Sequence, residues 1–521
     1  MVRQWFYAVA AVALIGIGLV ALYWPLALWA MVVVGPLVAL GLRDALQRRS
    51  TILRNFPIIG HLRYLFENIR PEIQQYFIES NIDAFPIERE MRAVVYQRAK
   101  GELETQPFGT QRDVYRVGYE WAAHSLSSVR PLTEDPRLEV GGPECLKKYS
   151  TSVLSISAMS FGALSPHAIL ALSGAARLGG FAQNTGEGGI SRYHIEGGAD
   201  LIWQIGTGYF GCRTLDGGFD PEQFRDSAAE KQVRMIELKL SQGAKPGHGG
   251  VLPAPKVTPE IAEARGVPPY ETIHSPPRHS AFSTPSELLE FVALLRDLSG
   301  GKPVGLKFSV GCRSEFLSIC KAMRDGGITP DFITVDGGEG GTGAAPLEFS
   351  NSMGMPGHDA WVFIHNALVG TGLRDRIRLF VSGKVITGFH MIRAMALGAD
   401  ACLSARGMML ALGCIQALRC NNDTCPTGIT TQNPALFRGL DVPDKTQRVF
   451  RYHRATIKSF VDLLGAMGLA GPHEITPGQV FRRVDDMRVK TFAEAYDFLR
   501  PGQLLDGEGL SEGWRRDWDT A

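Results

Sequence analysis

The stretch DFITVDGGEGGTG, residues 331–343, joins a short β-branched run to a cluster of glycines. Residues 332–335 are apolar or β-branched without interruption, which is typical of a strand buried on both faces of a parallel sheet. Residues 336–343 lack the apolar periodicity of a helix and contain five glycines. A buried strand that ends in glycines indicates a βα unit whose loop comes close to a ligand.

Five further runs of this kind occur between residues 150 and 435, separated by amphipathic stretches such as residues 286–298 and 389–400. They are VLSISAMS (153–160), MIELKL (235–240), PVGLKFSV (303–310), RLFVSGK (378–384) and DACLSA (400–405). Strands that alternate with helices predict a parallel sheet covered by helices, as a barrel or a doubly wound sheet. We favour an α/β (βα)8 TIM barrel, in which ligands meet the C-terminal ends of the strands.

Length and composition narrow the class of protein. A chain of 521 residues can form a barrel with substantial extensions. Lys plus Arg number 54 and Asp plus Glu 53, so the charge balance gives no reason to expect a nucleic-acid partner. Three of the eight cysteines fall in one short run and the others are scattered, which favours a reducing compartment over a disulfide framework.

The N-terminal region predicts a membrane hairpin. The 38 residues from Trp5 to Leu42 contain no charge, which suits two spans and is too long for one. Trp24 and Pro25 favour a turn at the middle. Arginines flank both ends: Arg3, Arg43, Arg48 and Arg49. By the positive-inside tendency both ends, and the rest of the chain, face the cytoplasm at the cell membrane. The rival interpretation, a cleaved signal peptide, would have a shorter apolar region.

These patterns divide the chain into four predicted regions. Residues 1–49 form the membrane hairpin with two transmembrane helices, and residues 50–149, rich in charge and aromatics, form a capping extension. Residues 150–435 form the barrel with the cysteine run, and residues 436–521 form a C-terminal helical extension packed outside it.

The cysteine run GCIQALRCNNDTCPTG places Cys414, Cys420 and Cys425 with five and then four residues between them. Three thiolates within twelve residues can converge on one centre. A zinc site would usually have a fourth ligand nearby and shorter spacings, whereas three thiolates alone suit a cluster of three irons. On spacing alone, chance cysteines or a disulfide remain alternatives.

The glycine loop at residues 338–343 matches the pattern G-x-G-x-x-G after a strand. As a dinucleotide signal it is weak, because Pro346 and Pro356 follow where a long helix would be needed. A glycine loop at a barrel strand end, with backbone amides close to a bound ligand or its phosphate, is the better interpretation. Ordinary tight turns are the alternative.

Around the cysteines the sequence resembles a known family. The pattern C-x5-C-x4-C followed by P-x-G-I-x-T-Q is similar to the three-iron, four-sulfur ligand loop of glutamate synthases. The resemblance extends over about residues 150–435, and most closely to the short, stand-alone FMN-binding branch of that family. It includes SAMSFGALS, NTGEGG, KLSQGAKPGHGG, SPPRH, GGTGAAP and GLRDRIRLFVSGK. No glutaminase domain with an N-terminal nucleophilic cysteine is visible, so glutamine hydrolysis is not expected.

The resemblance implies two cofactors, FMN and one [3Fe-4S] cluster held by Cys414, Cys420 and Cys425. Lys307 would stabilise the negative charge of a reduced flavin, although a surface lysine is the plain alternative. The remaining FMN-binding residues that the resemblance or the strand ends imply are Ser157, Ala158, Met159, Ser160, Gly338, Gly341, Gly343, Ser382, Gly383, Lys384, Ala405 and Arg406.

The resemblance also implies a substrate site for 2-oxoglutarate. Gln242, Lys245 and Arg265 match the family's keto-acid ligands, and Glu187 matches an acid that could relay a proton. Lys245 and Glu187 are therefore the predicted catalytic residues. The chain departs from the family's KPGEGGQ loop, where it has His248 and Val251, and this makes the identity of the substrate less secure.

The expected function is reduction of the imine of 2-oxoglutarate and ammonia by reduced FMN, giving L-glutamate. An NAD(P)H reductase subunit or a ferredoxin would supply electrons through the cluster, and ammonia would come from solution or from a separate glutaminase subunit. Two rivals remain: an FMN and iron–sulfur oxidoreductase acting on another amine or 2-oxo acid, and a non-catalytic membrane scaffold or 2-oxoglutarate sensor.

Overall fold

The computed structural model describes residues 2–521 and separates into two compact units, one up to Arg89 and one from Glu90 onward. The first unit begins with two apolar helices, Val2–Ala21 and Met31–Leu46, joined by a short 3-10 segment, Pro25–Ala30. The predicted break in the apolar stretch is present at Trp24 and Pro25. By length and composition, Val2–Ala21 and Pro25–Leu46 could each cross a membrane.

Further helices follow in the first unit. Thr51–Asn55 and Gly60–Ile73 follow the apolar pair, and a π-helical turn, Gln74–Ile78, extends the second of them. Ser50 caps the first short helix by accepting a hydrogen bond from the amide of Leu53, which satisfies one of the free donors at a helix start.

The second unit contains a closed barrel of eight parallel strands, which confirms the predicted fold. We number them along the chain: β1 Leu154–Ile156, β2 Gln183–Asn184, β3 Leu201–Ile205, β4 Val233–Lys239, β5 Val304–Phe308, β6 Phe332–Asp336, β7 Arg378–Ser382 and β8 Ala401–Ser404. Every strand pairs with its chain neighbour, and β8 closes the barrel on β1 through Cys402 and Leu154.

Helices follow the strands as the amphipathic stretches predicted. They are Pro166–Gly179, Arg192–Gly197, Pro221–Ala229, Pro285–Leu298, Arg313–Gly326, Leu347–Ser352, Gly357–Gly370, Gly388–Ala396 and Arg406–Leu412. The connection after β4 is the exception, because residues 240–284 form a separate insertion before the next helix. This insertion contains a two-stranded ribbon, Val251–Leu252 with Ile273–His274, and the helix Pro259–Arg265.

An antiparallel hairpin, Arg137–Val140 with Tyr149–Ser152, contributes to the apolar core of the barrel. Its Val140 and Tyr149 pack in one buried cluster with strand residues, which include Phe332 and Phe380 in edge-to-face contact at 5.5 Å between ring centroids. Residues that the sequence assigned to an extension therefore share the barrel core, because the interior needs apolar filling below the ligand end.

The C-terminal region packs on the outside of the barrel. Its longest helix, Val442–Ala466, contacts the barrel helix Pro166–Gly179. Besides helices, the region contains two short strands, Val480–Arg483 and Val489–Thr491, that form a sheet with Glu120–Ala122. The shorter C-terminal helices are Pro434–Phe437, Phe492–Ala495, Gln503–Asp506 and Glu512–Thr520.

Candidate functional site

The register of the central strands fixes which side chains enter the barrel. Lys239 on β4, Lys307 on β5 and Thr334 on β6 are directly paired across neighbouring parallel strands. Paired residues of parallel neighbours point to the same face, and residues two apart on one strand do so as well. Because Thr334 contacts the interior carboxylate of Glu237, both lysines also point inward.

A buried polar layer lies beneath the two lysines. Glu237 accepts hydrogen bonds from Asn184 at 2.7 Å, from Gln204 at 2.6 Å and from Thr334 at 2.7 Å. Each of these four residues comes from a different strand and is at most 2% exposed. A buried carboxylate needs such donors, and a fully satisfied polar network rigidifies the part of the core that contains it.

Glu187 and Lys239 form an ion pair at the mouth of the barrel. The Lys239 ammonium lies 2.9 Å from Glu187 Oε1 and donates to the amide oxygen of Gln242 at 2.7 Å. Burial alone would raise the pKa of Glu187, but the positive charges of Lys239, Arg265 and Lys245 outweigh it and hold that pKa below its usual value. Glu187 is therefore a carboxylate at neutral pH, surrounded by three cations.

Arg265 ends the insertion helix with its guanidinium buried. Its Nη2 donates to the carbonyl of Phe161 at 3.2 Å and to the Ser160 hydroxyl at 3.5 Å, and the group lies 5.0 Å from the centre of the Phe210 ring. Its Nε has no partner within residues 2–521. Burial lowers the pKa of Arg265 to about 10, and Glu187 partly counteracts this. An orphaned donor on a buried cation is the arrangement expected where an anionic ligand binds.

Lys245 occupies the start of the same insertion. It is 2% exposed, and its ammonium donates to the Ala344 carbonyl at 3.1 Å. Burial lowers its pKa, Glu187 raises it and Lys239 lowers it further. The structure thus brings together the four residues that the sequence assigned to substrate and proton transfer: Glu187, Gln242, Lys245 and Arg265.

Sequence reasoning missed Lys239, which holds two of those residues in place. The signal was present in the run MIELKL, where Glu237 and Lys239 are the only charged residues and lie two apart on one face of a buried strand. A charged residue on a strand that is buried on both faces needs a partner inside the barrel.

His248, one of the departures from the family pattern, lines a small cavity together with Glu187, Lys239 and Gln242. Its Nδ1 lies 2.8 Å from the Gly249 carbonyl, and its ring makes edge contact with Phe349 at 5.2 Å. The other departure, Val251, begins the ribbon strand of the insertion. A histidine in this position adds a polar ring to the wall of the site.

The glycine loop after β6 packs against the ends of β7 and β8. The amide of Gly337 donates to the carbonyl of Ser382 at 2.9 Å, and Arg406 Nη2 donates to the carbonyl of Glu339 at 2.8 Å. A Cβ on Gly341 would lie 3.4 Å from the Arg406 guanidinium. The remaining predicted residues of this group, Gly338, Gly343, Gly383, Lys384 and Ala405, belong to the same three strand ends.

The segment after β1 completes the ring of strand ends. The Ser157 amide donates to the Ser404 carbonyl at 3.1 Å, so Ser157, Ala158, Met159 and Ser160 leave the barrel beside β8. A Cβ on Gly186 would lie 2.6 Å from the Ser160 nitrogen. The segment therefore packs directly against the loop that contains Glu187, and only glycine fits at position 186.

The position of Lys307 bears on whether an anionic ring can bind at the mouth of the barrel. It is 4% exposed, and its ammonium has neither an ion-pair nor a hydrogen-bond partner in residues 2–521. An ammonium on a mostly buried side chain favours an anionic partner. The negatively charged edge of a reduced flavin would satisfy it, so the residues present fit such a cofactor.

The three cysteines of the run lie close enough to influence one another. Burial raises the pKa of Cys414 to about 11, and the charges of Cys420 and Cys425 raise it as well. Within residues 2–521 no three His, Cys, Asp or Glu side chains converge as ligands of a single metal ion. An iron–sulfur cluster would be held by cysteine thiolates, so the three thiols of this loop are the ligand type that it would need.

The cysteine loop contacts both other parts of the site. Lys256, from the insertion, is 4% exposed and donates to the carbonyls of Cys420 at 2.9 Å and Thr430 at 2.8 Å. A Cβ on Gly343 would lie 3.2 Å from the same Cys420 carbonyl. The glycine loop, the insertion and the cysteine loop thus meet at Cys420.

The sequence of the barrel matches a known protein family. Residues 134–470 match the conserved region in glutamate synthase. The chain is 36% identical to the glutamate synthase large subunit-like protein YerD of Bacillus subtilis, covering 92% of this chain and 96% of that protein. It is 34% identical to the archaeal glutamate synthase [NADPH] of Methanocaldococcus jannaschii, but here it spans 62% of this chain and 60% of the relative.

A similarity also exists to a solved structure. A mandelate oxidase variant with benzaldehyde matches over 77% of this chain and 98% of its own, at 16% identity and a TM-score of 0.41.

Proposed function

Because the chain belongs to the glutamate synthase family, we propose that it reduces the imine of 2-oxoglutarate and ammonia to L-glutamate. It is an oxidoreductase of the class that acts on CH–NH2 groups. The observation that carries the proposal is the set of three cations, Lys239, Lys245 and Arg265, around Glu187 at the mouth of the barrel.

The cations suit a dicarboxylate that contains a keto group. Arg265 has a free Nε donor and can bind one carboxylate through two parallel hydrogen bonds. Lys245 provides a compact charge beside the keto group, and Gln242 provides an amide that can orient it. Since one carboxylate cannot neutralise three cations, the site favours a ligand with two negative charges.

Glu187 is the candidate proton carrier. With its pKa held low by the cations, it is ionised and can accept a proton from ammonium, which produces the nucleophilic amine. A bound dicarboxylate would offset the cations and raise the pKa of Glu187, and the group would then be better matched to returning the proton.

Two cofactors complete the proposal. FMN, when bound, supplies the hydride, and the [3Fe-4S] cluster supplies single electrons from a donor. Lys307, Arg406 and the glycine loop would hold the flavin, while Cys414, Cys420 and Cys425 would hold the cluster. The electron donor would be an NAD(P)H reductase subunit or a ferredoxin, and the ammonia source would be solution or a separate glutaminase subunit.

We also propose that the two apolar helices of the first unit anchor the chain in a membrane, with the rest of the chain in the cytoplasm. The support is their length and composition together with the arginines at both ends of the apolar stretch.

The decisive test is stopped-flow absorbance of the anaerobically reduced protein in detergent on adding 2-oxoglutarate and ammonium, with glutamate assayed afterwards. We expect rapid flavin reoxidation with stoichiometric glutamate. Lys245→Ala and Arg265→Ala should abolish the reoxidation while most of the flavin is retained, because neither residue is among those predicted to hold the flavin. The exposed Lys231→Ala serves as the matched control.

The rivals give different results in the same experiment. Reoxidation by another amine or 2-oxo acid, but not by 2-oxoglutarate and ammonium, would reassign the substrate. Binding of 2-oxoglutarate without any reoxidation would indicate a scaffold or sensor. A protein that binds neither flavin nor iron would contradict the enzyme assignment.

A further inference from the structure

The first unit contains an amphipathic helix whose apolar face is largely exposed within residues 2–521. The helix Gly60–Ile73 is continued by the turn Gln74–Ile78. With 100° between successive residues, its apolar side chains fall in one stripe about 100° wide. The stripe consists of Leu62, Leu65, Phe66, Ile69 and Ile73.

Three of the five side chains of this stripe are exposed, and Ile69 and Ile73 are half-buried. Leu62 and Leu65 are each 51% exposed and Phe66 is 60% exposed, and in the following turn Phe77 is 84% exposed. Soluble proteins rarely leave a contiguous stripe of large apolar side chains uncovered. The opposite face is polar and includes the ion pair between Arg63 and Glu67 at 3.0 Å.

Hydrogen bonds connect the start of the helix Gly60–Ile73 to the C-terminal end of the second apolar helix, Met31–Leu46. Asp44, 2% exposed, accepts a hydrogen bond from the Ile58 amide at 3.0 Å and lies 2.9 Å from the His61 ring nitrogen. The Ser50 hydroxyl lies 2.7 Å from the hydroxyl of Tyr64. The amphipathic helix therefore begins at a fixed place beside the C-terminal end of a candidate span.

The charge of this segment suits an anionic surface. The segment from Arg43 to Ile78 contains six arginines, no lysines and three acidic residues. Arginines near the end of a span attract anionic lipid headgroups, and long basic side chains can reach headgroups while their stems stay in apolar surroundings. Aromatic side chains such as Phe66 and Phe77 suit the boundary between acyl chains and headgroups.

We propose that the segment Gly60–Ile78 is an interfacial helix that lies on an anionic membrane surface with the stripe of Leu62, Leu65, Phe66, Ile69 and Ile73 in the lipid. This inference rests on the proposed membrane anchoring. It adds a second, reversible contact to the hairpin and makes the position of the segment depend on lipid charge.

Site-specific photocrosslinking of the full-length protein tests the proposal. The photocrosslinker p-benzoylphenylalanine replaces Phe66 in one variant and Glu67, on the polar face, in a matched variant. Both are reconstituted in vesicles of phosphatidylcholine with or without phosphatidylglycerol, irradiated and analysed for lipid adducts by mass spectrometry. We expect several-fold more adduct at position 66 than at position 67, and a further increase with phosphatidylglycerol.

A third variant separates failure of this proposal from failure of the membrane anchoring. The same photocrosslinker at Val33, inside the second apolar helix, must give lipid adducts if the hairpin inserts. Adducts at position 33 with none at position 66 would overturn the interfacial helix alone. Crosslinks from position 66 to a second copy of the chain would also overturn it and would identify the stripe as a protein interface. No adduct at position 33 would contradict the anchoring itself and the inference that rests on it.

Discussion

Lys239 is the residue on which the charge balance of the site depends. It contacts both Glu187 and Gln242, and the first of these contacts opposes the effect of burial on the pKa of Glu187. Because that pKa is depressed in the folded state, Glu187 contributes stability above its unfolded pKa, and this contribution is lost as the pH falls through the folded pKa.

Replacing Lys239 by Met should therefore change both activity and pH dependence. Without the nearest cation, burial dominates, the pKa of Glu187 rises, and the acid limb of the pH profile of kcat/KM moves to higher pH. Removing one partner of a mostly buried ion pair also destabilises a protein by about 3 kcal/mol. We expect activity at pH 7 to fall about 100-fold, equivalent to about 2.7 kcal/mol in the barrier.

Lys239→Arg is the control because it keeps the charge. Its acid limb should stay close to that of the parent protein. If Lys239→Met left the acid limb in place, Glu187 would not be the group that titrates in the profile.

Gly243 shows how closely two loops of the site approach. A Cβ at this position would lie 1.8 Å from the Gly337 carbonyl oxygen, and its amide donates to Asp336 at 2.8 Å. The atoms that such a Cβ would meet are backbone atoms of Gly337 and Gly338, so they cannot move aside at low cost. Gly243→Ala should displace the glycine loop and lower the flavin content of the purified protein severalfold, as measured by absorbance. Gly311→Ala, where a Cβ meets nothing within 4 Å, should retain the flavin; equal flavin in the two variants would contradict the predicted clash.

At the scale of elements, the insertion after β4 connects the separate parts of the site. Its residues 240–284 supply Gln242, Lys245 and Arg265, and its Lys256 fixes two carbonyls of the cysteine loop. The insertion is therefore the physical link between the substrate residues and the proposed cluster.

Lys256→Met tests this link, since it keeps the length of the side chain and removes the ammonium. The carbonyls of Cys420 and Thr430 lose their shared donor, and a buried acceptor without a partner costs about 1–3 kcal/mol. We expect the cysteine loop to loosen, so that iron is lost severalfold faster to a chelator while flavin content changes little.

The exposed Lys231→Met is the matched control for charge and length. Identical rates of iron loss in Lys256→Met and in the control would show that the loop does not depend on this contact.

At the scale of the whole molecule, the barrel interior is completed from outside the eight strands. The hairpin formed by Arg137–Val140 and Tyr149–Ser152 fills its apolar end. On the outer surface the final helix, Glu512–Thr520, places Trp514 against Phe363 at 5.3 Å, with the Arg313 guanidinium 4.5 Å from the Trp514 ring.

Trp514→Ala should therefore destabilise the protein without affecting the chemistry. Removing a side chain that is 5% exposed leaves a cavity, and such changes cost about 3–5 kcal/mol in the free energy of unfolding. Urea unfolding should show this loss while flavin content and the spectrum stay those of the parent protein. Substitution of the exposed Trp5, 67% exposed, should leave the unfolding midpoint of the barrel unchanged; a Trp514→Ala variant with an unchanged midpoint would contradict the packing argument.

The barrel was predictable because its strands are buried on both faces. Each such strand is a continuous apolar run, which can be recognised from the local sequence alone. The break at Trp24 was predictable for a similar local reason, the proline that follows it. The site residues were inferred from the resemblance: Glu187, Gln242, Lys245 and Arg265. The structure brings these four residues together. Their roles, and the [3Fe-4S] cluster, remain predictions.

The sequence by itself determined the alternation of strands and helices, the apolar hairpin and the cysteine spacing, because these depend on residues close along the chain. Only the tertiary structure decided that Lys239 pairs with Glu187, that Lys256 holds the cysteine loop, and that residues 137–152 belong to the barrel core. Each of these depends on contacts between residues tens to hundreds of positions apart, and strand register and loop packing, which local patterns do not encode, bring those residues together.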